Sequence, residues 1–180
     1  MPVRFRTWSL RSTTPCSTLL PIALLVSGLL ACSAESDVDP ESTQEAADHN
    51  APAADVIAVE TTAVGDPSEN RFRLAVTVRS DDVGCERYAD WWEVVTLDGV
   101  LLQRRILAHS HVDEQPFTRS GEAFELPPDL EVLVRAHLHP TGYAGSALRG
   151  SIENGWRPVP SNSVATELEE SGPLPAGCRF

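Results

Sequence analysis

Residues 91–108 read WWEVVTLDGVLLQRRILA, and this stretch says most about the fold. Two apolar-rich runs, 91–97 and 100–108, are joined by Asp98 and Gly99. An Asp-Gly pair between two such runs favours a type I′ turn, because both residues accept a positive φ. The stretch therefore predicts a β-hairpin. Since Trp91 and Trp92 are adjacent, one faces the core, and the other is either covered by the C-terminal tail or part of a contact patch.

Runs of the same kind lie on both sides of this hairpin. Residues 71–80 and residues 131–139 alternate between apolar and polar side chains, which is the period of a half-buried strand. The apolar face is predicted to consist of Phe72, Leu74, Val76 and Val78 in the first run and of Val132, Val134, Ala136 and Leu138 in the second. Residues 56–64 and 146–152 are further candidate strands.

These strands predict an all-β fold for residues 56–180. Their spacing, with turn signals between them, favours an antiparallel β-sandwich, and a half-open barrel is the alternative. The strand spacing resembles that of immunoglobulin-like and fibronectin-III-like sandwiches. The resemblance is one of pattern alone.

The negative net charge of the chain argues against two kinds of binding partner, nucleic acids and anionic lipid surfaces. The chain has 180 residues, with 14 basic and 26 acidic side chains, and a net charge of -12. Nucleic-acid binding through phosphates requires clustered basic residues, so we expect no nucleic-acid partner. Electrostatic attraction to anionic lipid is excluded on the same ground. Such acidity favours a soluble, monomeric domain.

The N-terminus has the organisation of an export signal. Arg4, Arg6 and Arg11 precede the apolar run LLPIALLVSGLLA at 19–31. This run is too short to cross a bilayer core of ~30 Å, which requires about 20 residues. A basic region followed by a short apolar run is typical of a secretory signal peptide.

The apolar run ends in LLAC at residues 29–32. They resemble the lipobox of bacterial lipoprotein signal peptides. The resemblance implies that Cys32 receives a diacylglyceryl group, that signal peptidase II cuts before it, and that its new amino group is acylated. Two or three acyl chains attach a protein stably to a membrane. Ser33 in place of Asp favours the outer membrane, so we expect an exported protein on the periplasmic face or cell surface. An uncleaved anchor and ordinary secretion are the alternatives.

An acidic stretch follows the candidate lipid site. Residues 33–55 read SAESDVDPESTQEAADHNAPAAD, with seven acidic residues and no basic or aromatic one. Such a segment cannot bury enough apolar area to offset its ordering entropy. The predicted layout is a signal peptide at 1–31, lipidated Cys32 with a disordered acidic tether at 32–55, and a domain at 56–180.

Two cysteines remain for the domain, Cys85 and Cys178. In an oxidising compartment such a pair forms a disulfide, which would tie the tail to the domain. The chain-entropy model gives a loop of this length about 4–5 kcal/mol of stabilisation. Two free thiols or metal ligation are the alternatives.

Four histidines form two His-x-His pairs, His109 with His111 and His137 with His139. On a strand, residues i and i+2 share a face, so each pair presents two imidazoles, which suit copper or zinc. The four converge only if strands 100–111 and 131–139 are neighbours. The alternative is that all four are exposed polar residues at strand ends.

For function, the leading prediction is a non-catalytic, lipid-anchored binding or structural module with an unknown ligand or protein partner. The second is a periplasmic copper- or zinc-binding protein, and the third a hydrolase of unknown type. No nucleophile elbow, P-loop or H-E-x-x-H motif occurs in the sequence. Phe117, Arg119, Tyr143 and Trp156 are candidate partner contacts; the alternative for the aromatic residues is that they cap the core.

Overall fold

The computed structural model describes residues 51–179. The predicted signal peptide, Cys32 and the predicted tether up to residue 50 lie outside the described residues. Within 51–179 the chain forms nine β-strands and two short 3-10 helices, and the strands make two antiparallel sheets. The predicted all-β antiparallel sandwich is therefore confirmed. No helix in this part of the chain is long and apolar enough to cross a membrane.

The strands run in chain order β1 (Ala54–Ala63), β2 (Arg71–Ser80), β3 (Tyr88–Thr96), β4 (Leu101–Ile106), β5 (Phe117–Ser120), β6 (Phe124–Glu125), β7 (Val132–His139), β8 (Ser146–Ser151) and β9 (Gly155–Pro160). One sheet has the order β1-β2-β5, with β6 also pairing with β2. The other has the order β4-β3-β7-β8-β9. β1 begins inside the range 32–55 predicted for the tether.

The core lies between the two sheets. Alternate residues of β2, β3 and β7 meet there, as their period-2 pattern requires. The buried cluster includes Leu74, Val76 and Val78 from β2, Trp92 and Val94 from β3, and Val132, Val134, Ala136 and Leu138 from β7. Trp92 is thus the inward tryptophan. Complete burial of each valine or leucine side chain in this cluster contributes about 1.5–3 kcal/mol.

The β3–β4 hairpin forms where it was predicted, but its turn differs from the prediction. The Gly99 amide donates to the carbonyl of Thr96 at 3.0 Å, and the Thr96 amide donates to Val100 at 2.9 Å. Gly99 has φ 89°, whereas Asp98 is not among the residues with positive φ. This is the pattern of a three-residue loop, in which a turn is followed by a left-handed glycine. The type I′ prediction is wrong, because only one of its two positions takes a positive φ.

Three short strands were not predicted. Residues 112–125 look like a long connection in the sequence, yet β5 and β6 lie within them and pair with β2. β9 contains Pro158 and Pro160, which obscure a strand pattern. Prolines are tolerated there because β9 is at the edge of its sheet and pairs with β8 on one side alone, so a position whose N–H would face the open side has no ladder hydrogen bond to lose.

A third layer covers the outer face of the five-stranded sheet. It consists of residues 161–173, here named the C-terminal strap, whose carbonyl groups contact buried side chains of that face. β3 is buried along its whole length, and β7 along all but His139. Leu133, Arg135 and His137 alternate with the core residues of β7 and therefore point away from the core, but they are buried as well.

The disulfide between Cys85 and Cys178 is present, with Cα atoms 5.5 Å apart, so that prediction is confirmed. The bond fixes the chain beyond the strap to the loop before β3. Next to it, the amide of Arg179 donates to the carbonyl of Ala108 at 2.7 Å. The C-terminal tail is therefore attached to the domain covalently and through its backbone.

Candidate functional site

The outer face of the five-stranded sheet contains a buried ion cluster centred on Glu93. Arg104 and Arg135 face Glu93 from the two neighbouring strands, in register with it. The Arg104 Nε donates to Oε2 of Glu93 at 2.7 Å, and the Arg135 Nε donates to Oε1 at 2.8 Å. None of the three side chains is exposed to solvent. One carboxylate thus orients two guanidinium groups.

Tyr143, a predicted partner contact, belongs to this cluster. Its hydroxyl donates to Oε1 of Glu93 at 2.8 Å, and the Arg135 guanidinium lies 3.5 Å from the centre of its ring. Burial, followed by the charge of Glu93, raises the pKa of Tyr143 well above its usual range. Tyr143 is therefore a neutral donor inside the fold and not a surface contact.

The outward edges of both guanidinium groups are directed at the C-terminal strap. Arg135 donates to the carbonyl oxygens of Ser161, Val164 and Ala165, the last at 2.9 Å. Arg104 donates to those of Leu168 at 2.6 Å, Pro173 at 3.1 Å and Ser171. Every strap atom that accepts these bonds is a main-chain carbonyl oxygen.

The strap has one strained position. Ala165 lies at φ 46°, in the left-handed region, just before the 3-10 helix Thr166–Glu170. This conformation costs a residue with a β-carbon roughly 1–2 kcal/mol. The bond from Arg135 to the Ala165 carbonyl helps to hold it there.

His137 lies beside the ion cluster, between two carboxylates. Its Nδ1 is 2.6 Å from Oδ1 of Asp90, and its Nε2 is 3.2 Å from Oε1 of Glu169 in the strap. Its ring stacks on Trp91, with ring centres 3.7 Å apart. Trp91 is therefore the outward tryptophan, and it is buried. His139 is exposed at the end of β7, near Tyr88.

The other histidine pair follows β4. The ring of His111 stacks on Phe117 at 3.8 Å, and His109 lies 4.4 Å from it. His111 is 3% exposed, and neither of its ring nitrogens has a hydrogen-bond partner in the described chain. Burial, followed by the charge of Arg119, lowers its pKa to about 4.

The two pairs do not come together. The strands that precede or contain them, β4 and β7, lie in one sheet, but β3 lies between them. Across residues 51–179, no group of three or more His, Cys, Asp or Glu side chains is placed to hold a metal ion. Metal binding by the histidines stays a prediction without support from this geometry.

The remaining predicted contacts lie apart from the ion cluster. Phe117 is part of the core, and Arg119 forms an ion pair with Glu114 at 2.6 Å. Trp156 is half-buried against the core and borders a cavity of about 440 Å³. The same cavity is lined by Glu131, which accepts hydrogen bonds from Arg149 and Arg157.

Sequence reasoning missed Glu93, Arg104 and Arg135 as a site. A signal was present, because each of these charged residues interrupts a run of apolar residues. Charged side chains on such strands need partners when they are buried. The sequence does not show, however, which strands are neighbours.

Comparison with known proteins gives one informative relative. A protein described as "Putative lipoprotein", from Halomicrobium mukohataei, is 42% identical to this chain over 104 residues. The match covers 57% of this chain and 46% of the relative, so the chain spans about half of that protein's length. No family model matches the sequence. No solved structure matches it either.

Proposed function

We propose that this chain is a lipid-anchored extracytoplasmic module that binds or supports a partner and is held to a membrane through Cys32. The observation that carries the proposal is LLAC at 29–32, which ends a short apolar run that follows a basic N-terminus. The description of the relative as a lipoprotein points in the same direction.

The disulfide supports an extracytoplasmic location. Disulfides persist in oxidising compartments and are rare in the cytosol. Cys85 and Cys178 are bonded to each other. Cys16 and Cys32 are the other two cysteines of the sequence, and only Cys32 has the lipobox residues in front of it.

In the proposed layout, residues 1–31 are removed, Cys32 carries the lipid, and the acidic residues between Cys32 and the start of β1 separate the lipid from the domain. The proposed location is the periplasmic face of the outer membrane or the cell surface. The acidic chain would not be attracted to anionic headgroups, so its membrane attachment depends on the lipid.

The experiment is metabolic labelling in a bacterial host with an alkyne analogue of palmitate, followed by Triton X-114 phase partition. The full chain is expected to be labelled and to enter the detergent phase. Cys32→Ser is expected to lose the label and to stay unprocessed. Cys16→Ser, which removes a cysteine from the same N-terminal stretch, is the matched control and should behave like the parent. An unlabelled parent chain, or a labelled Cys32→Ser variant, would refute the proposal.

A further inference from the structure

A small cavity lies beside the first histidine pair, bordered by the end of β4 and by β5. Its volume is about 110 Å³, and it is lined by residues 105–109, His111 and Arg119. The titratable residues of this lining, Arg105, His109, His111 and Arg119, are all basic types. The whole chain has 14 basic and 26 acidic side chains, so such a lining departs from the general character of the protein. The cavity therefore favours an anionic occupant.

Arg105 supplies a positive charge that the fold leaves unbalanced. Its guanidinium group donates to two main-chain carbonyl oxygens, of Ser120 at 3.1 Å and of Ile106 at 2.7 Å, and it pairs with no carboxylate of the described chain. Arg119, in contrast, is paired with Glu114 at 2.6 Å. The two arginines and the glutamate together leave one positive charge, which matches a ligand with a single negative charge.

His111 brings a buried polar group without a partner to the same cavity. Its side chain is 1% exposed, and neither ring nitrogen is hydrogen-bonded within the described chain. The Oδ2 of Asp82 lies 4.0 Å from Nδ1, which is too far for a hydrogen bond. Burial, followed by the charge of Arg119, lowers the pKa of His111 to about 4, so the neutral ring has an N–H donor. Asp82 occupies the side of Nδ1, so Nε2 is the nitrogen left for a ligand.

The ring of His111 is held in place, whereas its neighbour is free to move. His111 stacks on Phe117, with ring centres 3.8 Å apart, and its main-chain amide donates to Asp82 at 2.7 Å. His109 is exposed, and its ring centre lies 4.4 Å from that of His111. A rotation of the His109 side chain therefore opens His111 to the cavity without any change in the core.

We propose that this cavity binds the carboxylate group of a small organic monoanion. One carboxylate oxygen accepts the N–H of His111, and the other pairs with the guanidinium group of Arg105. The apolar residues 106–108 line the rest of the cavity, whose volume of about 110 Å³ suits a short-chain carboxylate such as acetate or propionate. The inference rests on the proposed function only in treating the domain as a binding module, and it does not require the lipid.

The test is an NMR titration of the full chain, purified in detergent from the bacterial host. Sodium acetate replaces sodium chloride at constant ionic strength, so a response requires a preference for carboxylate over chloride. The signals followed are those of the ring nitrogens of His111 and of the backbone amides of residues 105–119. Acetamide, which has nearly the shape of acetate but no charge, is the neutral control.

Acetate is expected to shift these signals saturably, with a Kd of about 1–10 mM, and acetamide is expected to leave them unchanged. Arg105→Gln removes the unbalanced charge, so it should weaken acetate binding about tenfold. Arg73→Gln changes an exposed arginine of β2 outside the cavity and, as the matched control, should bind acetate like the parent. His111→Phe keeps a ring on Phe117 but removes both nitrogens, and should weaken the response of the backbone amides about tenfold. Near-ultraviolet circular dichroism verifies that each variant is folded.

Three results would overturn the inference. In the first, the parent shows no saturable shift up to about 100 mM acetate. In the second, the charge proves irrelevant, because acetamide binds as well as acetate or Arg105→Gln binds as tightly as Arg73→Gln. In the third, phosphate binds more tightly than acetate, which would assign the cavity to a doubly charged oxyanion. None of these results bears on palmitate labelling, so failure of this inference and failure of the lipid anchor are distinguishable.

Discussion

Glu93 and Arg135 are cross-strand partners, 42 residues apart in sequence, whose side chains meet at 2.8 Å without exposure to solvent. The second oxygen of Glu93 receives Arg104 from the opposite side. A single carboxylate on the central strand of three therefore holds two cations. The strap is bound through those cations, so its attachment depends on Glu93.

Removing the carboxylate should destabilise the domain strongly. Glu93→Gln leaves two buried guanidinium groups without their counter-charge, and breaking a buried pair in this way costs about 3–5 kcal/mol. Urea unfolding followed by tryptophan fluorescence measures the loss. The matched control is Glu131→Gln, which also removes a carboxylate with two arginine partners, but on the exposed surface. There the loss of stability should be much smaller, because solvent screens exposed ion pairs. Equal effects of the two substitutions would contradict the role given to burial.

The disulfide should contribute to stability through the unfolded state. Cys85 and Cys178 close a loop with a sequence separation of 93. Replacing both by Ser is expected to lower the free energy of unfolding by about 2–5 kcal/mol. Reductant should lower the stability of the parent chain by a similar amount and leave the double variant unchanged. A double variant as stable as the oxidised parent would show that the bond adds nothing.

His111 should make the domain less stable in acid. Its pKa is about 4 in the folded chain, against an ordinary value of 6.5. Between these pH values the unfolded chain binds more protons, so stability falls as the pH is lowered from 6.5 towards 4, by up to about 1.4 kcal/mol per pH unit. His111→Phe keeps an aromatic ring on Phe117 and removes this titration. Urea unfolding at several pH values should show the parent losing stability relative to the variant across that window. If the free energy of unfolding depends on pH in the same way in the parent and in His111→Phe, the lowered pKa of His111 is contradicted.

The β8–β9 hairpin should not tolerate a side chain at Gly150. A β-carbon there would collide with the carbonyl oxygen of Gly155 on the adjacent strand, which is backbone and cannot rotate away. Gly150→Ala is expected to cost about 1–3 kcal/mol in thermal or urea unfolding, as overpacking does. Gly172→Ala is the control, because open space surrounds that position. A Gly150→Ala variant of parental stability would mean that the two strands can separate.

The sandwich could be predicted because alternation is a local property. Leu74, Val76 and Val78 mark their face by spacing alone, and they occupy the core as expected. The turn at Gly99 shows the limit of such signals. The Asp-Gly pair predicted the hairpin correctly, but loop length decided the turn type.

The candidate site was harder to predict because it depends on non-local pairing. Arg104 and Arg135 lie 11 and 42 residues from Glu93. Strand order alone makes all three neighbours. The same strand order separates His109 and His111 from the β7 pair. The sequence of the strap has no hydrophobic periodicity that predicts its place on the sheet. Its main-chain carbonyl groups, and not a regular pattern of side chains, make most of its polar contacts with the sheet.

The covalent loop has a mechanical consequence. Everything between Cys85 and Cys178 lies inside the ring closed by the disulfide, which includes β3 to β9 and the strap. When the two ends of the described chain are pulled apart, the force passes through the disulfide bond between Cys85 and Cys178. Only β1 and β2 lie outside the ring and can be drawn out as extended chain. A force applied at residue 51 would therefore peel those two strands away, while the face that holds the strap stays closed.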